Sequence, residues 1–234
     1  MSIRGVLFDK DGTLIDVNGT WVPIYRKMLC DQFGIGVQAA ETMMQRVGYN
    51  PATEGFFANS ILASGTTRQL VESWWPGLDE LATHDKLRMI DVDYAPLSKS
   101  LLKPLMPLAP LLTELKAMNL RLGVATNDSH YSAVNHMSHL GVVELFDEVI
   151  AADTVLVPKP SGDMIRKFAG SMGMKPGEIA MVGDNSHDME EARNGGAGLA
   201  IAVLTGNAAH DEIAHLADYT IASIAELPNL LRSL

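Results

Sequence analysis

Two carboxylates one residue apart, Asp9 and Asp11, follow directly after a short apolar run near the start of the chain. Residues 3–8 carry the β-branched and aromatic side chains that are typical of a buried strand, and Gly12 follows the second acid. A carboxylate at the end of such a strand would be held rigidly where an open α/β sheet usually binds ligands. The spacing therefore predicts an active-site geometry, although a solvated Asp-Gly turn would have the same sequence.

Two later segments offer groups that could bind an anion. Thr126 and Asn127 end a second apolar run, and their side chains could supply small neutral donors to an oxyanion. Lys159 stands between two prolines, which restrict the local backbone and so limit where its cation can point. Each residue also has a simpler interpretation, since Thr126 could cap the next helix and Lys159 could be a surface lysine.

A second acid pair, Asp184 and Asp188, follows the apolar run 179–182. The two residues are four positions apart, so one helical turn would bring their carboxylates together. A solvated helix start would also place acids there.

Taken in order, these four segments resemble the motifs of the haloacid dehalogenase (HAD) superfamily. Residues 8–16 read FDKDGTLID, residues 126–127 read TN, residues 159–160 read KP, and residues 183–197 read GDNSHDMEEARNGGA. The chain is most similar to the phosphoglycolate phosphatase-like branch, and the likeness extends from end to end. The resemblance implies a phosphatase.

The resemblance also implies roles for the acids. Asp9 would attack phosphorus to form an aspartyl-phosphate, and Asp11 would act as the general acid and base. Asp9 and Asp184 would bind a metal through their side chains and Asp11 through its backbone carbonyl. Asp188 would lie beside the cluster and orient the ligands.

The phosphoryl oxygens would be bound by polar groups from the other motifs, of which Thr126 and Lys159 also count as catalytic because they stabilise the transferring group. The expected phosphate-binding residues are Gly12, Thr126, Asn127 and Lys159.

A metal is also expected on chemical grounds. A phosphomonoester dianion and a carboxylate nucleophile repel each other most strongly where water is scarce, so a divalent cation is required. Hard oxygen ligands, with no Cys and no clustered His among them, favour Mg²⁺.

Lys10 departs from the usual family pattern, in which an apolar residue is commoner at this position. Asp9 and Asp11 are expected to face the site, so the pleat should direct the side chain between them the other way. We interpret Lys10 as a partner of a nearby carboxylate rather than as a catalytic group.

The elements that must position these residues alternate between strand and helix. Strands are predicted at 4–8, 121–125, 148–151, 179–182 and 199–203, which indicates a doubly wound, Rossmann-like parallel sheet. Between residues 16 and 93 the strand signals vanish and apolar residues recur at helical spacing. We therefore predict an α/β core of residues 1–15 and 94–234 with an inserted α-helical cap domain of residues 16–93.

The run 101–112 is apolar but contains three prolines, and we interpret it as a linker that enters a helix at 111–118. The cap is expected to close over the site and to carry the substrate contacts. The candidates for those contacts are Trp21, Tyr25, Arg26, Lys27, Arg46 and Arg68, each of which could instead be a core aromatic residue or a solvated cation.

Composition narrows the class of protein. The chain has 234 residues, a formal net charge of -10 and 47% hydrophobic residues, which is typical of a globular protein. The net charge disfavours nucleic acid as a partner, and no segment is long and apolar enough to predict a membrane span. The single Cys30 and the absence of a leader pattern favour a cytoplasmic protein. A homodimer is left open.

The sequence thus predicts a Mg²⁺-dependent phosphatase acting on a small-metabolite phosphomonoester, with 2-phosphoglycolate as the first candidate by resemblance alone. The alternatives are a sugar-phosphate phosphatase or a phosphosugar mutase with the same nucleophile, and a binding or regulatory protein that keeps the fold without catalysis.

Overall fold

The computed structural model describes residues 2–93 and 95–234. Its strands are β1 (Gly5–Phe8), β2 (Tyr49–Asn50), β3 (Gly55–Phe56), β4 (Arg121–Thr126), β5 (Glu148–Ala151), β6 (Ile179–Gly183), β7 (Leu199–Val203) and β8 (Tyr219–Ile221). Its α-helices are α1 (Val17–Lys27), α2 (Val37–Arg46), α3 (Ile61–Ser64), α4 (Thr67–Trp74), α5 (Glu80–Arg88), α6 (Ala95–Leu101), α7 (Leu108–Ala117), α8 (His130–His139), α9 (Asp163–Met172), α10 (Ser186–Gly195), α11 (His210–Ile213) and α12 (Leu227–Arg232).

Six strands form one parallel sheet in the order β5-β4-β1-β6-β7-β8. Strand β1 lies at the centre, and the strand order reverses there. Phe8 pairs with Val124 on one side and with Val182 on the other. The residues that follow β1, β4 and β6 therefore meet at one edge of the sheet, which is where such folds bind ligands. The predicted doubly wound fold is confirmed.

The side chains of β1 alternate between the two faces of the sheet and join a different apolar cluster on each face. Val6 and Phe8 belong to an apolar cluster with Leu112 and Leu115 of α7, whereas Leu7 belongs to the cluster on the opposite face, with α9 and α10. Successive side chains of a strand point to opposite faces, so a sheet covered on both sides needs apolar residues at every position. All four residues of β1 are buried, which holds its end rigid.

The insert between β1 and β4 has its own apolar core. Its buried residues include Met28, Met44, Tyr49 and Trp74, and partly buried residues such as Leu97 of α6 pack against them. Helix α1 begins where Asp16 accepts a hydrogen bond from the amide of Gly19 at 2.8 Å. The predicted helical cap is present, with a short antiparallel hairpin of β2 and β3 that the sequence analysis did not predict.

Some boundaries differ from those predicted. Strand β8 was missed because three residues give too short a pattern to recognise. Helix α7 begins at Leu108, three residues before the predicted start, and α6 occupies 95–101. The exact division between the two proposed domains stays a prediction, and the residues Met1 and Tyr94 at which its core segments begin lie outside the described residues.

Within the described ranges, the helices are all too short or too polar to cross a lipid bilayer.

Candidate active site

Three buried carboxylates meet at the carboxyl edge of the sheet. Asp9 follows β1 and donates its backbone N–H to the carbonyl of Val182 at 2.8 Å, which ties the end of β1 to β6. Asp184 follows β6, and Asp188 lies in the first turn of α10. One oxygen from each of these three side chains lies within 4.8 Å of the others. Asp184 and Asp188 do come together as predicted, but not on one helical turn, because α10 begins at Ser186 and Asp184 precedes it.

Lys159 is the cation of this cluster. Its Nζ lies 2.5 Å from Oδ1 of Asp9 and 2.7 Å from Oδ1 of Asp188, and its side chain is 4% exposed. Such burial excludes the alternative of a surface lysine. Asp188 also accepts a hydrogen bond on Oδ2 from the amide of Asn185 at 3.1 Å, so both of its oxygens are held in place.

Gly12 and Gly206 pack against the side chain of Asp184, where a larger residue would clash. Gly12 has a φ of +89°, and a Cβ there would lie 2.4 Å from Oδ2 of Asp184, while a Cβ on Gly206 would lie 1.6 Å from the same atom. The N–H of Gly12 donates to the carbonyl of Ile15 at 2.7 Å. The absence of a side chain at Gly12 thus leaves room for the carboxylate of Asp184. The predicted contact of Gly12 with phosphate stays a prediction.

The residues at the end of β4 reach the same edge. The hydroxyl oxygen of Thr126 accepts a hydrogen bond from the amide of Asp128 at 3.1 Å, which leaves its O–H to donate to an anion. Asn127 donates from Nδ2 to the carbonyl of Ser64 at 2.9 Å and to that of Lys159 at 3.3 Å. The side-chain amide of Asn127 therefore links the cap to the loop that carries Lys159.

Asp11 is held by two donors, one from the core and one from the cap. Nζ of Lys10 lies 2.6 Å from its Oδ2, and Nε1 of Trp21 donates to its Oδ1 at 2.6 Å. Trp21 stacks on Tyr25 one turn later in α1, with ring centroids 5.4 Å apart. The orientation of the Asp11 carboxylate thus depends on the position of the first cap helix.

Lys10 is completely buried and also pairs with Asp128 at 3.2 Å. Its Nζ lies 3.5 Å from Nδ1 of His136 and 5.1 Å from the centroid of the Trp21 ring. The interpretation of Lys10 as a carboxylate partner is confirmed. The expectation that its side chain would be directed away from both neighbouring acids is wrong for Asp11, because the long Lys10 side chain brings Nζ to that carboxylate.

Burial controls the ionisation of these groups. It raises the pKa of Asp9 from its ordinary value of 3.8 to about 7, with Lys159 opposing the shift and the neighbouring carboxylates adding to it. Burial and the charge of Asp9 likewise raise the pKa of Asp184. Burial alone would lower the pKa of Lys159, but Asp188 and Asp9 outweigh it and hold the ammonium charged. Burial, aided by the charge of Lys10, lowers the pKa of His136 to about 4.

The three carboxylates fit a hard divalent cation. Asp9, Asp184 and Asp188 offer oxygen donors only, at a spacing that one ion could bridge, and each is at least 90% buried. A positive ion would relieve the repulsion that raises the pKa values of Asp9 and Asp184. The donor set matches Mg²⁺ better than Zn²⁺, which favours nitrogen and sulfur ligands.

A cleft lies between this cluster and the cap. Its core side is formed by the acid cluster, Thr126, Asn127 and Lys159, and its cap side includes Trp21 and Tyr25 of α1 and the polar residues 64–67. Of the six predicted cap contacts, only the two aromatic residues line the cleft; Arg26, Lys27, Arg46 and Arg68 do not.

Glu191 was missed by the sequence analysis although it lies within the fourth motif. Its buried carboxylate accepts hydrogen bonds from the amides of Gly162 at 2.6 Å, Met164 at 2.9 Å and Ile165 at 3.2 Å. These amides begin helix α9, directly after the loop that carries Lys159. The place of Glu191 three residues after Asp188 was the only sequence signal for a role in the site. That signal is weak, because acids on helices are usually solvated.

The sequence profile of the haloacid dehalogenase-like hydrolase family matches residues 6–202. The chain is 27% identical over 225 residues to pyrophosphatase PpaX of Bacillus velezensis, covering 96% of this chain and 94% of the relative. It is 37% identical over 119 residues to phosphoglycolate phosphatase of Chromobacterium violaceum, which covers 51% of this chain and 52% of the relative.

Among solved structures, the crystal structure of CbbY from Rhodobacter sphaeroides in complex with phosphate superimposes with a TM-score of 0.71 at 21% identity. The match covers 96% of both chains. At that identity the likeness concerns the fold, and it extends over the sheet and the inserted cap together.

Proposed function

The chain belongs to the haloacid dehalogenase-like hydrolase family, and from this we propose that it is a Mg²⁺-dependent phosphatase that hydrolyses a small phosphomonoester through an aspartyl-phosphate on Asp9. The observation that carries the proposal is the contact of Lys159 with both Asp9 and Asp188, at the edge of the sheet where the strand order reverses. A buried cation beside a buried nucleophile suits the transfer of a dianionic group.

Asp9 would attack phosphorus with one carboxylate oxygen while the bond from phosphorus to the leaving oxygen breaks. Asp11 would give a proton to that leaving oxygen and later take one from the water that hydrolyses the aspartyl-phosphate. The contacts of Asp11 with Lys10 and Trp21 support this role, because an acid-base group must be held in one orientation.

Thr126 and Lys159 would bind the phosphoryl oxygens, Thr126 through its O–H and Lys159 through its ammonium. Asp9 and Asp184 are the side chains that would hold Mg²⁺, with the Asp11 carbonyl as a further predicted ligand and Asp188 beside them to orient the ligands. The ion would offset the negative charge of the phosphate and of the acids.

Two classes of leaving group come from the sequence analysis, namely glycolate and a sugar. The name of the Chromobacterium violaceum relative supports 2-phosphoglycolate, while a sugar-phosphate phosphatase or a phosphosugar mutase would use the same nucleophile. A mutase would return an isomerised sugar phosphate instead of inorganic phosphate. A cytoplasmic location and a homodimer also stay predictions.

The proposal is tested by measuring inorganic phosphate release from p-nitrophenyl phosphate and a panel of metabolite phosphoesters. We expect turnover with Mg²⁺, loss of turnover on chelation and recovery when Mg²⁺ is restored. Asp9→Asn should abolish turnover without unfolding the protein, because an amide cannot act as the nucleophile and one source of repulsion is removed. Asp85→Asn, an exposed acid in α5, is the matched control and should retain full activity.

Absence of phosphate release from every ester, or wild-type turnover by Asp9→Asn, would overturn the proposal. The first result would favour a binding or regulatory protein with this fold.

A further inference from the structure

The basic residues of the insert do not face the cleft. Arg26 pairs with Glu41 at 2.6 Å and Arg68 with Glu80 at 2.8 Å. Lys27 pairs with Asp31. The remaining basic residues of 16–101 also fail to line the cleft in the described part of the chain: they are Arg46, His84, Lys86, Arg88 and Lys99.

The core contributes one lysine, Lys159, to the lining of the cleft. Lys159 lines it but already contacts Asp9 and Asp188, where it would serve the phosphoryl group. Lys10 is completely buried behind Asp11. His187 also lines the cleft, beside Asp188 of the acid cluster. Among the described residues, no further lysine or arginine lines the cleft to pair with a second anionic group on the substrate.

The cap side offers hydroxyl groups and aromatic rings instead. Ser64, Thr66, Thr67 and Ser98 line it, together with the stacked rings of Trp21 and Tyr25. Ser64 and Ser98 donate their O–H groups to backbone carbonyls, so their oxygens can still accept hydrogen bonds from hydroxyl groups of a ligand. Aromatic faces pack against C–H groups.

Two further acids line the cleft beside these groups. They are Asp91, from the turn after α5, and Asp128 of the core. A carboxylate on the substrate would lose its water without gaining a cation, and it would also meet these two acids. A hydroxyl group at the same place could donate a hydrogen bond to either acid.

We infer that the cleft selects phosphomonoesters whose leaving alcohol is uncharged and bears hydroxyl groups, and that it discriminates against esters carrying a carboxylate or a second phosphate. The inference rests on the proposed phosphatase function and narrows its substrate. The inferred substrate differs from those in the names of two relatives, because 2-phosphoglycolate carries a carboxylate and pyrophosphate carries a second phosphate.

The test uses pairs of esters that differ only by a hydroxymethyl group in place of a carboxylate. One pair is 2-hydroxyethyl phosphate with 2-phosphoglycolate, and the other is glycerol 1-phosphate with 3-phosphoglycerate. The full chain with saturating Mg²⁺ is assayed for phosphate release, and kcat/KM is compared within each pair. We expect the hydroxylated member to be favoured by at least about tenfold, since an unpaired charge is costly to bury.

Two variants locate the origin of the selectivity. Burial raises the pKa of Asp91 to about 7, so the assay is run above that pH. Asp91→Asn should then reduce the preference roughly threefold or more, because it removes one like charge without changing the shape of the cleft. Arg68→Gln is the matched control, a charge change on the same unit outside the cleft, and should leave the ratio unchanged.

Equal or faster hydrolysis of the carboxylated members would overturn the inference and leave the phosphatase function standing. A fall in the activity toward carboxylated esters alone in Arg68→Gln would also overturn it, since Arg68 would then be supplying the cation. If neither the pairs nor p-nitrophenyl phosphate were hydrolysed, the proposed function would fail as well.

Discussion

At the scale of single residues, the contact between Lys10 and Asp11 gives the two proposed catalytic carboxylates, Asp9 and Asp11, different environments. Asp9 contacts Lys159, whereas Asp11 contacts Lys10 and Trp21. Two acids one residue apart thus have different cations and different neighbours. In the proposed mechanism that separation lets one act as the nucleophile and the other transfer protons.

The role of Asp11 is tested by Asp11→Asn. An ester with a good leaving group, such as p-nitrophenyl phosphate, needs little protonation, so formation of the aspartyl-phosphate should suffer less than its hydrolysis. Rapid mixing should give a burst of nitrophenol of about one equivalent per site followed by slow turnover, and intact-protein mass should increase by one phosphoryl group. No burst, no mass gain and equal slowing of good and poor leaving groups would mean that Asp11 serves only the metal site.

Lys10→Met tests the buried charge network. The substitution removes the cation that Asp11 and Asp128 share, and breaking a buried ion pair from one side is strongly unfavourable. Urea unfolding should show a loss of roughly 3 kcal/mol in the free energy of unfolding. Adding Asp128→Asn to the variant should restore part of that loss, since one uncompensated carboxylate is then gone. Full stability of the single variant would show that the acids are solvated well enough without Lys10.

At the scale of elements, the start of α9 decides where Lys159 lies. The Lys159 loop has no strand or helix of its own, and the amides that follow it are bound by Glu191 of α10. A carboxylate at a helix N-terminus satisfies amides that have no partner within the helix and interacts favourably with the helix dipole. Helix α10 therefore positions both Asp188 and, through Glu191, the loop of its partner Lys159.

Glu191→Gln should weaken this connection. The amide is similar in shape but lacks the charge, and it presents a donor where three backbone donors converge. We expect the free energy of unfolding to fall by about 2 kcal/mol and kcat to fall more than KM changes, since Lys159 acts on the transferring group. Glu190→Gln, at the exposed neighbouring position, is the control and should affect neither quantity. An unchanged kcat in Glu191→Gln would show that catalysis does not depend on the hydrogen bonds between Glu191 and the start of α9.

At the scale of the whole molecule, residues far apart in the chain are brought together at a cost in electrostatic energy. Asp9 and Asp184 are separated by most of the sequence, and burial and mutual repulsion raise the pKa values of both. A carboxyl group with a raised pKa binds its proton more tightly in the folded protein than in the unfolded one. Its contribution to stability is therefore complete below the ordinary value of 3.8 and is lost as the pH rises through about 7.

Metal binding should consequently stabilise the protein more at high pH. Mg²⁺ must displace protons from Asp9 and Asp184 in acid, but it meets ionised, mutually repelling carboxylates in base. We expect the increase in Tm on adding Mg²⁺ to be larger at pH 8 than at pH 5, by roughly 5 °C. Thermal unfolding with Mg²⁺ and with a chelator at both pH values measures it, and Asp184→Asn should lose most of the increase. Equal increases at the two pH values would contradict this account of the acid cluster.

The sequence was sufficient to predict the parallel sheet and the edge at which the candidate site lies. Short apolar runs that end in Asp9, Thr126 and Asp184 identify strands by local pattern, and parallel strands necessarily bring their carboxyl ends to one side. The predicted helical insert has the same kind of local origin, since helical periodicity is carried by neighbours in the chain. The patterns that identify these strands and helices each span only a few residues, although the strands themselves pair over long distances in the chain.

The tertiary structure alone decided which charges pair. Lys10, Trp21 and Glu191 each bind groups whose identity no local pattern contains, because side-chain contacts between separate elements depend on how helices pack on the sheet. The same holds for Arg26 and Arg68 of the cap, which pair with Glu41 and Glu80 on other helices of the insert. Long-range packing determines the distances between charged groups, and Coulomb energies depend on those distances rather than on order along the chain.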